Sequence, residues 1–325
     1  MNNLETIKQP VHIALQQFEA QYADTLKSDN PLLNQVVGHV LSRKGKQIRP
    51  ILVLLSAEVL GGIMSETLSS AVSLELLHMA TLIHDDVVDE TLERRGMKSV
   101  NAVWNNKVAV LSGDYFLSKS LNEIAKTRNF AIMSVISTLG EKLSNGELLQ
   151  LDAVRQSQIS EELYFDIIKK KTAVLFAACC EAGALSVPNV NVEMVEKLTK
   201  FGELLGVCFQ LKDDIFDYFP STEIGKPTGN DIGEGKITLP LIYAINNAPT
   251  AVRENILQII KNADFSEKNV QKLYAFAIEN GGIGYAKTKM QELKLTANAL
   301  LADLPDSPAK NALLACAEYV VERSR

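Results

Sequence analysis

Apolar residues recur at intervals of three and four positions along most of the chain, which is the period of an α-helix. The period is clear in two segments, residues 74–84 and 116–124. Strand-like alternation with Asn-Gly or Asp-Gly hairpin turns is missing, and no proline occurs between Pro50 and Pro188. The pattern predicts an all-α fold with roughly ten or more helices.

Pairs of helix-breaking residues predict where these helices are interrupted. They are Gly61-Gly62, Arg95-Gly96, Asn145-Gly146 and Pro188-Asn189. The run 219–240 carries both Gly and Pro and is the only long candidate loop, and loops of that length are usually functional. A helical pattern returns at 309–323. Because no shift in composition marks a linker, we expect a single domain over residues 1–325.

Composition narrows the class of protein. An apolar fraction of 46% is enough for a substantial core, and the formal net charge of −6 without a long basic run argues against a nucleic-acid partner. The cysteines, without metal-ligand or disulfide spacing, predict buried thiols in a reducing compartment. The N-terminus does not resemble a signal peptide, and the apolar runs are shorter than the ~20 residues of a membrane helix. We therefore expect a cytoplasmic protein without a transmembrane segment.

Two aspartate clusters share one spacing, and each follows an apolar, helix-like stretch. They are Asp85-Asp86-x-x-Asp89 and Asp213-Asp214-x-x-Asp217. Three carboxylates within five residues repel one another, and their burial is costly unless cations compensate. One such cluster is typical of a solvated helix end. Two clusters of equal spacing indicate metal ions and a polyanion.

Helical geometry indicates how the first cluster could bind metal. Asp85 and Asp89 share a face, while Asp86 lies about 100° around the helix. Such carboxylates suit Mg²⁺, whose coordination shell is completed by substrate phosphates and water. Gly96 follows closely, so we expect the cluster near a helix C-terminus, where the helix dipole adds negative charge.

Basic residues at several points supply candidate phosphate ligands. They are Lys46 and Arg49, Arg94 and Arg95, Lys171 beside Thr172, and Lys226 and Lys236 on a glycine-containing backbone. Each alone is more typical of a solvated surface charge. Together with both carboxylate clusters they predict a cavity for two diphosphate groups and their metals.

In this order along the chain, the motifs resemble those of the trans-polyprenyl diphosphate synthases, the long-chain type in particular. The motifs are Gly45-Lys46-x-x-Arg49-Pro50, Asp85-Asp86-x-x-Asp89 with Arg94-Arg95-Gly96, Lys171-Thr172, Gln210-x-x-Asp213-Asp214-x-x-Asp217, and Gly225-Lys226-Pro227 to Gly235-Lys236-x-Thr238-Leu239-Pro240. The resemblance covers essentially the whole chain, and it implies a helical bundle of the isoprenoid synthase type with a central active-site cavity. Residues 219–223 depart from the Gly-Asp-Pro-type turn that is common there.

The family resemblance also implies a role for each group of residues. Two or three Mg²⁺ ions bridge an allylic diphosphate to Asp85, Asp89 and Asp213, with Asp86, Asp214 and Asp217 supporting the metals. The phosphates of that substrate meet Arg94, Lys171, Lys226 and Lys236. Isopentenyl diphosphate is held by Lys46, Arg49, His78 and Arg95. Thr172 and Gln210 line the reacting centre. The expected catalytic set comprises these two residues together with Lys171, Lys226, Asp85, Asp86, Asp89, Asp213 and Asp214. The family further implies a homodimer.

The expected reaction begins when Mg²⁺ and cationic side chains stabilise the departing diphosphate. The isopentenyl double bond attacks the allylic carbocation, and a proton leaves. No side chain is an obvious base, and in the family the released diphosphate is thought to take the proton. A dry apolar cavity keeps water from the cation.

Product length is predicted from the residues before Asp85. An ideal helix puts Thr81 beneath the aspartates, and the family resemblance adds Ala80 as the floor of the product tunnel, with Leu77 one turn deeper. Short-chain members of the family carry an aromatic residue at the position of Ala80 or next to it, whereas Ala80 and Thr81 of this chain are both small. With about one isoprene unit per 5.4 Å turn, we predict a product of about C35 to C50, of the kind attached to quinones. A bulky residue elsewhere, or from a second subunit, would instead give geranylgeranyl or farnesyl diphosphate.

Other functions remain to be weighed. A class I terpene cyclase usually has an Asn/Asp-Ser/Thr-Glu second metal motif, and neither it nor a squalene-type synthase needs Lys46-x-x-Arg49. A metal phosphohydrolase built on His84-Asp85 would need further metal-binding histidines. Some family members work as heteromers, in which this chain, with intact motifs, would be the catalytic subunit.

Overall fold

The computed structural model describes residues 4–42, 45–94, 96–219 and 230–323. Helix accounts for 79% of the chain, which confirms the all-α prediction. The α-helices are α1 (Leu4–Lys8), α2 (His12–Thr25), α3 (Pro31–Leu41), α4 (Ile48–Glu58), α5 (Ser65–Val88), α6 (Val100–Val103), α7 (Asn106–Lys126), α8 (Phe130–Arg155), α9 (Glu161–Ile168), α10 (Val174–Leu185), α11 (Val192–Asp217), α12 (Asn230–Gly233), α13 (Leu239–Asn247), α14 (Thr250–Lys261), α15 (Glu267–Glu279), α16 (Gly282–Leu300) and α17 (Pro308–Glu322). A 3₁₀ turn, Gln9–Val11, precedes α2, and a π-helical turn, Lys169–Ala173, joins α9 to α10.

A short hairpin departs from the purely helical expectation. Strands β1 (Glu93–Arg94) and β2 (Met97–Lys98) pair antiparallel, and Gly96 takes a φ of +71° in the turn between them. Two residues per strand are too few for an alternating pattern to be visible in the sequence.

Contacts divide the chain into two compact units, of which the first comprises residues 1–138, 178–199 and 303–315. Its central helix is α5, which packs mainly along α7 and also against α4 and α2. Ser73 and Ser120 join α5 to α7, because each hydroxyl donates to the other residue's carbonyl oxygen, at 3.0 and 2.8 Å, and the two hydroxyl oxygens lie 2.9 Å apart. The small serine side chains allow this close approach, which holds α5 against α7.

The second unit comprises residues 139–177, 200–302 and 316–325. Here α13 packs against α15 and α16 and also contacts α9 and α14. The π-helical turn lies against α11 at Gly206, where an added Cβ would stand 2.6 Å from the Cα of Ala173. Glycine at this point allows α11 to approach the backbone of the turn.

The predicted helix interruption at Asn145-Gly146 is wrong, because α8 continues through it. A Cβ on Gly146 would stand 2.7 Å from the backbone nitrogen of Lys171 and 2.9 Å from the carbonyl carbon of Lys170. The glycine therefore serves a close contact between segments rather than a turn. The interruptions at Gly61-Gly62 and Pro188-Asn189 are confirmed.

The four cysteines are buried and free, as predicted. In the run 219–240, residues 220–229 lie outside the described residues, α12 follows them, and α13 begins at Leu239. None of the described helices combines the length and the apolarity that a membrane span requires.

Candidate functional site

The first aspartate cluster lies at the C-terminal end of α5, as predicted. The helix ends at Val88, and Asp89 caps it with a backbone N–H donated to the carbonyl oxygen of Asp85 at 2.8 Å. Asp85 is half-buried and Asp89 is exposed, whereas Asp86 is only 4% exposed. The carboxylates thus add to the negative end of the helix dipole.

Asp86 pairs with Arg94, whose Nε lies 2.7 Å from Oδ1. Burial raises the pKa of Asp86 even though the Arg94 charge and hydrogen bond act in the opposite direction. Arg94 reaches the cluster from β1, after the end of α5, and not from the helix itself. Asn101 of α6 fixes the segment that follows α5, because its Nδ2 donates to the carbonyl oxygens of Asp86, at 3.0 Å, and Thr91, at 3.2 Å.

The other predicted ligands of the first unit lie on α5 and at the start of α4. His78 is buried on α5. Lys46 is exposed and precedes α4, and Arg49 lies half-buried in its first turn. Lys46 and Arg49 therefore do not share a helix face, because Gln47 between them has a left-handed backbone, with φ +57°. Arg95 lies outside the described residues.

His84 packs against α7 instead of presenting a metal site. Its Nε2 lies 3.2 Å from the carbonyl oxygen of Val110 and 3.4 Å from Oδ1 of Asp114, and its ring covers Gly113. A hydrolase centre built on His84-Asp85 finds no support in these contacts.

The second cluster ends α11, and each of its carboxylates has a different partner. Arg323 Nη2 lies 2.6 Å from Oδ1 of Asp213. Asp214 is buried and accepts hydrogen bonds from Tyr164, at 2.5 Å, and Gln210, at 2.8 Å. Asp217 accepts hydrogen bonds from the Tyr274 hydroxyl and from the backbone N–H groups of Asn230 and Asp231.

A hydrogen-bonded chain joins the residues that were expected at the reacting centre. Thr172 Oγ1 donates to Gln210 Oε1 at 2.7 Å, and Gln210 donates in turn to Asp214. Lys171 pairs with Glu147 at 2.8 Å. The cavity next to them, of about 170 Å³ in the second unit, is lined by Lys171, Thr172, Gln210 and Asp214, and by Lys236, which pairs with Glu234 at 2.5 Å. Lys226 lies outside the described residues.

The carboxyl groups of Asp214 and Asp231 lie in surroundings that disfavour their negative charge. Burial, followed by the Asp231 charge, raises the pKa of Asp214 to about 8. Burial and then the Asp217 charge raise the pKa of Asp231 to about 6. A cation bound nearby would relieve both groups.

The carboxylates of the two clusters suit a Mg²⁺ site in which water and substrate phosphates supply most of the ligands. In the described parts of the chain, no three His, Cys, Asp or Glu side chains converge where they could hold a metal ion. Mg²⁺ commonly binds one or two carboxylates and keeps water and substrate phosphates as its other ligands. Asp85 and Asp89 in the first unit, and separately Asp213 in the second unit, offer hard oxygen donors that are not fully buried.

Sequence reasoning missed four residues of these surroundings. They are Glu147, Tyr164, Asp231 and Arg323. Asp231 stands in the long loop, where its acidic side chain near the second cluster was a usable signal. Arg323 gave none, because 110 positions separate it from Asp213. Its guanidinium also lies 4.0 Å from the ring centre of Phe209, and its side chain is only 8% exposed.

Comparisons with known proteins agree with this architecture. The sequence model of the family described as polyprenyl synthetase matches residues 30–277. The octaprenyl diphosphate synthase of Escherichia coli (strain K12) is 32% identical over 324 residues, which cover 99% of this chain and 100% of that protein.

Two crystal structures are similar over nearly the whole chain. A geranylgeranyl pyrophosphate synthase from Bacteroides thetaiotaomicron is 45% identical, with a TM-score of 0.86 over 99% of this chain and 100% of that chain. A polyprenyl synthase from Caulobacter crescentus, complexed with calcium and isoprenyl diphosphate, is 30% identical, with a TM-score of 0.92 over 99% of this chain and 98% of that chain.

The raised pKa of Asp214 predicts a pH dependence of stability in metal-free protein. The folded-state value of about 8 exceeds the unfolded value of about 3.9, so the folded state binds this proton more tightly. The contribution of Asp214 protonation to the free energy of unfolding is full below about pH 4 and is lost as the pH rises toward about 8. We expect the urea midpoint in EDTA to fall over this range, and to fall less steeply in Asp214→Asn. The exposed Asp29→Asn is the control, and equal slopes for Asp214→Asn and the parent would contradict the assignment.

Proposed function

Because the chain belongs to the polyprenyl synthetase family, we propose that it condenses isopentenyl diphosphate successively onto an allylic diphosphate and makes a long-chain all-trans polyprenyl diphosphate. Transfer of a prenyl group is the reaction of the family, and the chain is a prenyltransferase. The product length, the individual residue roles, the metal count and the oligomeric state are the finer parts of the proposal.

The proposed metal ligands are Asp85, Asp89 and Asp213, supported by Asp86, Asp214 and Asp217. Bound Mg²⁺, in two or three ions, would supply positive charge to the departing diphosphate. Arg94 is already held at the first cluster by Asp86, 2.7 Å away. Lys171 and Lys236 line one cavity with Thr172 and Gln210, which supports a phosphate-binding role for the lysines and a reacting-centre role for the other two.

The proposed site for isopentenyl diphosphate rests on Lys46, Arg49, His78 and Arg95, by family resemblance. Lys46 is exposed and precedes α4, and Arg49 is half-buried in its first turn, so both cationic side chains lie at the start of this helix. No general base among the side chains is proposed, and the released diphosphate takes the proton.

The observation that carries the long-chain proposal is the small size of two residues before Asp85. Ala80 is buried, and the Thr81 hydroxyl donates to the carbonyl oxygen of His78 at 2.8 Å, within its own helix. Thr81 thus presents no uncompensated polar group to an apolar product. Leu77, one turn deeper, is also buried. A product of about C35 to C50 would extend along this face at about one isoprene unit per helical turn.

A geranylgeranyl product is the second candidate, and the burial of an aromatic residue on α7 favours it. On α7, Gly113 meets His84 of α5 and Ser120 meets Ser73. Phe116 lies on the same face between them, at the level of Ala80, and is fully buried. An aromatic ring from α7 could therefore close the space that small residues on α5 leave open. The 45% identical geranylgeranyl synthase is in keeping with this alternative.

We also propose a homodimer. On α7, Val110, Leu117 and Leu121 are exposed at spacings of seven and four residues and so form one apolar stripe. A second copy of the chain, packed along α7, would cover it.

Incubation of the purified chain with Mg²⁺, labelled isopentenyl diphosphate and allylic primers tests the reaction. We expect linear elongated products from the chain alone, which would dispose of an obligate second subunit. Cyclic hydrocarbons would indicate a cyclase, and free phosphate from one substrate alone would indicate a hydrolase. Asp85→Ala should lower kcat by about 10²–10³-fold, the usual cost of losing transition-state charge stabilisation, while Asp29→Ala should not.

Product length is tested on α5 and α7 together. Ala80→Tyr should shorten the product by filling the space beneath the aspartates, whereas Ala80→Ser should leave it unchanged. Phe116→Ala should lengthen the product if Phe116 closes the space. Chromatography of the dephosphorylated products reports both changes. A parent product of geranylgeranyl length or shorter, or unchanged length in Ala80→Tyr, would sink the long-chain proposal.

Light scattering tests the dimer. We expect a mass of twice the 35.7 kDa of one chain, and a single-chain mass for Leu117→Glu, because a charge would be buried in the interface. Leu295→Glu, at an exposed leucine of α16, is the matched control. A single-chain mass for the parent would refute the proposal.

A further inference from the structure

We propose that Gly146 and Glu147, in one turn of α8, are positioning residues for Lys171 and Thr172. Gly146 sets where the backbone of the π-helical turn lies, and Glu147 sets where the Lys171 ammonium lies. The inference rests on the proposed function, because it assumes that Lys171 and Thr172 face the substrate.

The π-helical turn is the element that needs to be positioned. The backbone N–H of Val174 donates to the carbonyl oxygen of Lys169, the five-residue spacing of a π-helix. Such turns are rare, and they occur frequently at functional sites. The extra residue shifts Lys171 and Thr172 out of the regular side-chain register that α9 would otherwise continue.

The contact with Gly146 involves backbone atoms. An added Cβ would stand 2.7 Å from the nitrogen of Lys171, 2.9 Å from the carbonyl carbon of Lys170 and 3.0 Å from its Cβ. A backbone cannot swing aside as the end of a flexible side chain can. A larger residue at this position therefore moves either α8 or the turn. Because Gly206 of α11 meets Ala173 in the same way, two helices hold the turn by close backbone contact.

Glu147 adds a side-chain contact from the same turn of α8. Its Oε2 lies 2.8 Å from Nζ of Lys171, and the two side chains are 34% and 26% exposed. The neighbouring Thr172 hydroxyl donates to Gln210 at 2.7 Å. The positions of the ammonium and the hydroxyl are therefore set before a substrate arrives. Such preorganisation matters because misplacement of a catalytic group by about 1 Å can cost about 10²-fold in rate.

The chain provides a matched control for Gly146. Gly140 lies on the same helix, six residues earlier, and a Cβ there meets no atom within 4 Å. Gly140→Ala and Gly146→Ala make the same chemical change and the same improvement in helix propensity. They differ only in what the new methyl group contacts.

The first experiment compares these two variants by steady-state kinetics and thermal unfolding. We expect Gly146→Ala to lower kcat/KM for the allylic diphosphate at least about tenfold and to leave KM for isopentenyl diphosphate within about twofold. Gly140→Ala should match the parent in both kinetic measurements and should unfold at no lower temperature than the parent. Equal kinetics for the two variants would overturn the role of Gly146.

The second experiment decides the question even if Gly146→Ala does not fold. Glu147→Ala should lower kcat/KM for the allylic diphosphate about tenfold, and Glu147→Gln, which keeps an acceptor oxygen for Lys171, should recover most of the loss. In a Lys171→Ala background, Glu147→Ala should have no further effect, since its partner is gone. An equal loss with and without Lys171 would mean a merely structural role and would overturn the inference.

The outcome for Lys171→Ala alone separates the inference from the function on which it rests. Unchanged kinetics in Lys171→Ala would contradict the proposed substrate contact itself. Impaired kinetics in Lys171→Ala, together with parental kinetics in Glu147→Ala and Gly146→Ala, would contradict only the positioning role.

Discussion

Mutual repulsion among carboxylates at the ends of α5 and α11 is the constraint on which the rest of the site depends. Each cluster follows a long, largely apolar helix and stands where the helix dipole is already negative. In each unit one arginine compensates part of that charge. Arg94 pairs with Asp86, and Arg323 pairs with Asp213. The remaining charge is what a substrate with its cations would neutralise.

The two clusters meet this constraint differently. In the first unit, the buried carboxylate of Asp86 is held by an arginine, and Asp85 and Asp89 keep partial access to solvent. In the second unit, Asp214 is buried among neutral hydrogen-bond donors, and its pKa is raised to about 8. A hydrogen-bond chain continues from it through Gln210 to Thr172. Equal spacing in the sequence thus accompanies unequal electrostatic environments.

Features that depend on the spacing of neighbouring residues could be predicted from the sequence. Features that depend on a contact with a residue distant in the sequence could not. The helical period and the terminal position of the first cluster follow from residues close in sequence, so both predictions are confirmed. Gly146 was misread as a helix break because a glycine in a close helix contact has the same sequence signature. Arg323 was missed because the sequence does not reveal which of its cations approaches Asp213. The left-handed backbone at Gln47, which separates Lys46 from Arg49, also leaves no periodic signal.

Product length is one of the features that depend on a contact with a residue distant in the sequence. Small residues at positions 80 and 81 are necessary for a long tunnel, but they describe only one wall. Under the long-chain proposal the facing wall would come from α7, where buried Phe116 lies between Gly113, which meets His84, and Ser120, which meets Ser73. Because α5 and α7 approach closely at these two points, the rotamer of the buried Phe116 ring could decide how much room is left for a product between the helices. The chain is similar both to an octaprenyl and to a geranylgeranyl synthase, so similarity alone does not fix the length of its product.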